Sequence, residues 1–253
     1  MEETLSIVYR DEHYIAINKP SGLLVHRSEI DRRETRFAIQ LLRNQIGQHV
    51  YPAHRLDKPT SGVLLFGLSQ DAGRKLTEVF TDKLAQKTYH AIVRGYTEEA
   101  GHIDHALSHM LDRIADRDAD WDKPAQDAVT DYRRLATVEL PYAVDKYPSS
   151  RYSLVELSPK TGRKHQLRRH MKHIAHPIIG DTSHGKSSHN HFFAETFGIQ
   201  RLLLAATELS FPHPYSQETT TIQAPLGEDY SSLVERLGWQ SALPAHLLNA
   251  ANA

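Results

Sequence analysis

The chain opens with two short runs of apolar or alternating character, Leu5 to Tyr9 and Tyr14 to Asn18, and the second ends in Lys19-Pro20-Ser21-Gly22. Period-two alternation marks a half-buried strand and Pro-Ser-Gly fixes a turn, so a hairpin followed by a turn is expected. From Thr35 to Ile46 the period changes: Phe37, Ala38, Leu41, Leu42 and Ile46 lie close to helical spacing. Ala72, Leu76, Val79 and Phe80 repeat this between Asp71 and Phe80, and both segments are expected to be helices. Between them Pro59-Thr60-Ser61-Gly62 reads as a turn feeding Val63 to Leu68, whose nearly unbroken apolar run predicts a strand buried on both faces. Lys87 to Gly95 alternates again, with Tyr89, Ala91 and Val93 on one face. Further strands are expected at Thr130–Val138, Tyr152–Leu157, Arg201–Leu204 and Thr219–Ile222.

Hairpin-like strands with a few interposed helices argue for an α+β protein built on a mixed, largely antiparallel sheet with flanking helices. No repeat or Gly/Ser/Pro linker divides the chain, so residues 1–240 are expected to form one domain and 241–253 a C-terminal tail. Glu98 to Asp122 holds eight Asp or Glu against two Arg with weak periodicity and reads as a solvated loop or an excursion from the sheet.

Composition narrows the chemistry. At 253 residues and 40% hydrophobic, the chain can bury a large core. Its 30 Lys plus Arg nearly balance 31 Asp plus Glu, so any nucleic-acid affinity must come from local patches. The absence of cysteine excludes disulfides, thiolate metal sites and a cysteine nucleophile, and fits a reducing cytoplasm. No leader-like start and no apolar run of spanning length are seen, so neither export nor a membrane anchor is expected.

Two segments concentrate functional residue types. In His54-Arg55-Leu56-Asp57-Lys58-Pro59-Thr60-Ser61-Gly62 a carboxylate stands between cations just before a tight turn and a buried strand. That place suits a nucleophile or base held on a rigid element; the alternative is an Asp that caps the turn. In Thr161-Gly162-Arg163-Lys164-His165-Gln166-Leu167-Arg168-Arg169-His170, Leu167, Met171 and Ile174 form a helical apolar stripe flanked by Arg168, Arg169 and Lys172. From Arg151 to His173 seven Lys or Arg face a single acid, Glu156, which makes either a phosphate-contacting patch or a solvated basic helix. The 17 histidines, among them His165, His170, His173 and His176, raise a third possibility, a metallohydrolase, although no HExxH is present and no third ligand follows from the spacing.

These blocks resemble the RluA-type branch of the pseudouridine synthases. The matching segments are Asn18–Gly22, His54–Gly62, Lys87-Thr88-Tyr89 through Val93-Arg94-Gly95, Thr161–His170, His176-Pro177-Ile178-Ile179-Gly180-Asp181 and Arg201-Leu202-Leu203-Leu204, in the family's order and over most of the chain. Leu24–Ser28, Ile46–Val50 and the run into Thr161 look most like the branch that acts on uridine sixty-five of tRNA. The resemblance implies a sheet with a central basic active-site cleft, RNA as partner, a monomer without an obligate protein partner, and no cofactor or metal. It makes Asp57 the catalytic carboxylate, Arg168 its cationic neighbour (with Arg163 as the other candidate) and Tyr89 the aromatic that stacks on the base. An adjacent cation favours the ionised carboxylate. Arg55 would displace or replace a flipped base, or else contact a phosphate, and His54, Arg163, Lys164, Arg169 and Lys172 would contact RNA. Ala205 departs from the histidine that many relatives carry there, and no S4-type domain is recognised, so recognition is expected from the catalytic domain. A ribosomal-RNA synthase of the same family and a non-catalytic RNA-binding module remain the other readings.

Overall fold

The computed structural model describes residues 4–26, 34–110 and 124–248. Among them ten strands form one sheet: β1 (Ile7–Arg10), β2 (Tyr14–Lys19), β3 (Tyr51–Pro52), β4 (Ser61–Gly67), β5 (Gln86–Arg94), β6 (Ala100–Asp104), β7 (Val129–Leu140), β8 (Ser150–Pro159), β9 (Leu204–Pro212) and β10 (Thr219–Gln223). The order is β1-β2-β4-β9-β5-β8-β7-β6, with β10 on β9 and β3 on β4. Every pairing is antiparallel except β4 with β9, so the mixed, largely antiparallel α+β sheet is as expected. Helices α1 (Ala38–Ile46), α2 (Gln70–Thr81), α3 (Gln166–His173), α4 (Ser187–Phe197) and α5 (Glu228–Arg236) cover it, followed by the short α6 (Ala245–Leu248).

Alternation along β5 decides what covers each face. Ala91 and Val93 join Leu167 and Met171 of α3 in one apolar cluster, while Ile92 points oppositely into a cluster holding Phe193 of α4 and Tyr230, Leu233 and Val234 of α5. Burying the stripe Leu167, Met171 and partly buried Ile174 fixes the rotation of α3 about its axis. That rotation turns Arg168, which flanks the stripe, inward, where it is 3% exposed.

Three expectations need correction. The acidic segment contains β6, whose Ile103 is buried and which pairs with β7, so only part of it can be loop; residues 111–123 lie outside the described residues. The strand expected at Arg201–Leu204 begins only at Leu204 and runs to Pro212, because Leu202 and Leu203 are buried in the connection while Arg201 is drawn to Ser61 and Asp229. The tail is not free from residue 241: Leu243 and Leu247 are buried in the α4–α5 cluster and the Leu226 amide donates to the Leu247 carbonyl at 2.8 Å, while 249–253 lie outside the described residues.

The parallel contact of β4 with β9 is where glycine is required. Gly62 has φ +111°, and a Cβ there would lie 2.0 Å from the Ala206 carbonyl oxygen. Gly62→Ala is expected to lower stability by at least about 2 kcal/mol, from left-handed strain plus the backbone clash, and to lower the thermal midpoint by several degrees. Calorimetry of the variant checks this.

Candidate active site

The turn before β4 and the loop before α3 face each other across a cleft of about 1520 Å³. Its walls carry nine Lys or Arg (Arg55, Lys58, Lys83, Lys87, Lys160, Arg163, Lys164, Arg168 and Arg201) against two carboxylates, Asp57 and Asp229, so a protein of balanced charge concentrates cations at one surface. At the floor, Arg168 donates through Nε to Asp181 Oδ2 at 2.7 Å and through Nη2 to Asp181 Oδ1 at 2.8 Å. Its remaining Nη1 reaches Asp57 Oδ2 at 3.3 Å. The planar guanidinium thus spends one edge on a fully buried carboxylate and offers the other to Asp57, which is one-fifth exposed in the cleft. Burial alone would raise the Asp181 carboxyl, but the Arg168 fork and the amides of His184 and Ser183 outweigh it and hold the group below its ordinary value. The same carboxylates raise Arg168 against the opposing effect of its own burial.

Local sequence explains the placement of α3 and its loop. The Gln166 side chain accepts from the Thr161 hydroxyl at 2.7 Å and the Arg163 amide at 3.0 Å, and donates to the Val129 carbonyl at 2.9 Å. On the opposite wall the Asp57 turn is tied down by Lys19, fully buried at the end of β2, whose Nζ donates to the carbonyls of Pro20, Leu23 and Lys58 at 2.8–3.2 Å. Burial, with Arg201 nearby, brings the Lys19 ammonium down to about 7, against the opposing pull of Asp57. Arg201 donates to the Ser61 hydroxyl at 2.6 Å and to Asp229 at 3.3 Å, clasping the start of β4.

Of the expected residues, Asp57, Arg168, Tyr89, Arg55, His54, Arg163 and Lys164 all line this cleft. Tyr89 faces it from β5, partly buried, and burial with nearby Asp57 raises its phenol pKa. Arg55 is exposed at the wall. Arg163 turns to the Asp127 carbonyl at 3.0 Å, so the cation beside Asp57 is Arg168 and not Arg163. Lys164 donates to the Met110 carbonyl at 3.2 Å. His54 is placed as a packing group: its Nε2 accepts the Leu65 amide at 3.0 Å, its ring stacks on Phe80 at 4.6 Å, and burial holds it down at about 3, so it brings no charge to RNA. Arg169 and Lys172 are not among the cleft residues; Arg169 bonds the Ser108 carbonyl at 2.9 Å. Arg151, counted in the basic stretch, pairs with Glu139 on the neighbouring strand. His170 and His173 are engaged with the β6 end, His170 bonding Thr130 and the His105 carbonyl and His173 stacking on His105. Among the described residues no group of three His, Cys, Asp or Glu is placed to hold a metal, and no helix is long and apolar enough to cross a membrane.

A cation-lined cleft with an arginine-held carboxylate beside an aromatic wall suits an enzyme that works on nucleic acid. The chain belongs to the RNA pseudouridylate synthase family, whose model matches residues 13–173. It is 55% identical over 239 residues to tRNA pseudouridine synthase C of Vibrio vulnificus (strain CMCP6), covering 94% of this chain and 98% of that one. It is also 55% identical over 246 residues to the protein of that name from Vibrio cholerae serotype O1, covering 97% and 100%. The solved structure of Human RNA Pseudouridylate Synthase Domain Containing 4 superposes with a TM-score of 0.67 at 26% identity, over 92% of this chain and 93% of that one. The enzyme class and fold expected from the motifs are thereby shown.

Removing Asp181 tests the clamp. Because its folded-state pKa is depressed, its stabilisation is complete above the unfolded value of about 3.9 and is lost as pH falls through the lower folded value. Asp181→Asn is expected to cost about 3–5 kcal/mol near neutrality, as for other broken buried ion pairs, and to flatten the loss of stability in acid. Urea unfolding from about pH 2 to about pH 7, which spans the fall through the lower folded value, measures both.

Proposed function

We propose that this enzyme converts one uridine of tRNA, uridine sixty-five, to pseudouridine, with Asp57 acting on the ribose. The observation that carries the assignment is the three-point hold of Arg168 on Asp181 and Asp57, which aims an ionisable carboxylate into the cleft beside Tyr89. The names of the relatives that cover nearly the whole chain support tRNA as the substrate class.

A uridine within a stem must leave the stack to reach Asp57, at a cost of a few kcal/mol. Arg55, exposed at the wall, fills the vacated place, and Tyr89 stacks on the extruded base. Asp57 then attacks the ribose or takes a proton from it as the N-glycosidic bond breaks, and uracil turns and rejoins through C5. Arg163 and Lys164 contact phosphates at the cleft, while Arg169 and Lys172 offer charge outside it. An isomerisation consumes no external reagent, and the reading needs no cofactor or metal. It carries with it a cytoplasmic location and a monomer as the simplest assembly.

Tritium release from C5-labelled uridine in unmodified tRNA tests the reading. Wild type is expected to release tritium from tRNA, and Asp57→Asn to be slower by at least about 10²-fold. Release from ribosomal RNA alone would overturn the tRNA assignment, and a tRNA with cytidine at position sixty-five that still releases the label would overturn the choice of uridine. Tyr89→Leu should weaken substrate capture by about 1–3 kcal/mol. Arg163→Gln should reduce the slope of log affinity against log salt by about one, as measured by filter binding over a salt series.

A further inference from the structure

The last chemical step of the isomerisation removes a hydrogen from C5, and the side chains described so far assign no group to it. His165 stands at the start of α3 with φ +55°, a left-handed backbone uncommon for a residue with a Cβ, and its side chain lines the cleft. Its Nε2 lies 3.8 Å from Asp57 Oδ2, too far for a hydrogen bond, so that nitrogen is uncommitted. Its Nδ1 lies 3.0 Å from Nε2 of His184, a half-buried residue. The His184 amide donates to Asp181 Oδ1 at 2.9 Å, so the carboxylate that holds Arg168 also anchors the second imidazole.

We propose that the His165–His184 pair is the acid–base element that takes the C5 proton and passes it to solvent. The inference rests on the isomerisation itself and not on which uridine is modified. Only one of the two facing nitrogens carries a hydrogen. When it is on His165 Nδ1, Nε2 presents a lone pair to the cleft beside Asp57. Once uracil has rejoined through C5, that carbon is bonded to C1′, next to the ribose atoms that Asp57 addresses, so its hydrogen is brought to the same corner of the site.

His165 Nε2 takes the C5 hydrogen as a proton. The C–H pair becomes the C5=C6 double bond, and the C6=N1 pair moves to N1, which takes a proton from water. The hydrogen on His165 Nδ1 crosses to His184 Nε2, and the one on His184 Nδ1 goes to water. Both rings end neutral in the opposite tautomer, which proton exchange with water resets. The surroundings suit a ring that starts neutral. Burial, with Arg168, His184 and Lys164 near it, holds His165 down at about 4 against the pull of Asp57. His184 is likewise lowered, by burial first and then by Arg168, Lys172 and Arg169, with Asp181 opposing.

The test uses His165→Gly, which relaxes a left-handed backbone, and His184→Gln, with full-length tRNA carrying hydrogen or deuterium at C5. Each variant is expected to bind tRNA within about twofold of wild type, to turn over about 10²-fold more slowly, and to show a larger C5 isotope effect than wild type. Added imidazole should restore turnover to His165→Gly. Wild-type turnover in both variants, or a loss in folded protein with neither a larger isotope effect nor imidazole rescue, overturns the assignment. Asp57→Asn, run alongside, separates the two questions: activity retained there would reject the site itself and not the histidine pair alone.

Discussion

The active site depends on one guanidinium. Arg168 is almost wholly buried and satisfied on one edge by Asp181, a carboxylate with no exposed side chain, and through its last nitrogen it reaches Asp57. A charge can be kept in such a place only when its donors are matched, and a bidentate carboxylate matches the planar fork. The consequence is geometric as well as electrostatic. Three separate segments, the turn before β4, the start of α3 and the loop after Ile179, share one ionic centre, so Asp57 is aimed by the fold and not by its own rotamer. Gly180 allows this approach: at φ +79° its missing Cβ makes room for the Arg201 carbonyl, which a methyl would meet at 1.8 Å.

Much of the fold was legible because its strands alternate cleanly. The hairpin of β1 and β2, the faces of β5 and the two helices α1 and α2 follow from period, and the all-buried β4 from its unbroken apolar run. What escaped was set by long-range packing. Leu202 and Leu203 are as apolar as any strand, yet they serve as a crossover because Arg201 beside them is pulled to Ser61 and Asp229. β6 was hidden in acidic sequence because an edge strand needs only one buried apolar position, Ile103, to dock. The segment 241–253 looked like a tail because two leucines spaced for a short helix, Leu243 and Leu247, give little periodic signal, yet both are buried.

The site was legible where its residues stand in dense motifs. Asp57, Arg168, Tyr89, Arg55, Arg163 and Lys164 meet at one cleft as the motifs imply, with Arg168 beside Asp57. His54, expected to contact RNA, lines the cleft with its Nε2 already taken up by the Leu65 amide, a packing role no motif signals. Asp181 and Lys19 both lay in matched blocks without a role. The available signal was a single charge closing an apolar run, since a charge in that position must find partners inside the fold. Lys19 finds three carbonyls and Asp181 finds a guanidinium.

The cleft therefore contains cations of two kinds. Arg168 and Arg201 are consumed by internal partners and fix the walls, so they add little that phosphate could claim. Lys87 is different: it shares the Tyr89 face of β5, two residues away, and partial burial lowers its ammonium pKa. An ammonium whose charge is resisted by burial gains most from an approaching anion, which ties anion binding to the electrostatics of the floor. Near Asp57 the same low-dielectric surroundings favour neutral imidazoles, because Arg168 already supplies the positive charge the carboxylate needs. One buried ion pair thus fixes Asp57 and keeps the neighbouring imidazole neutral at the edge of a cation-lined cleft.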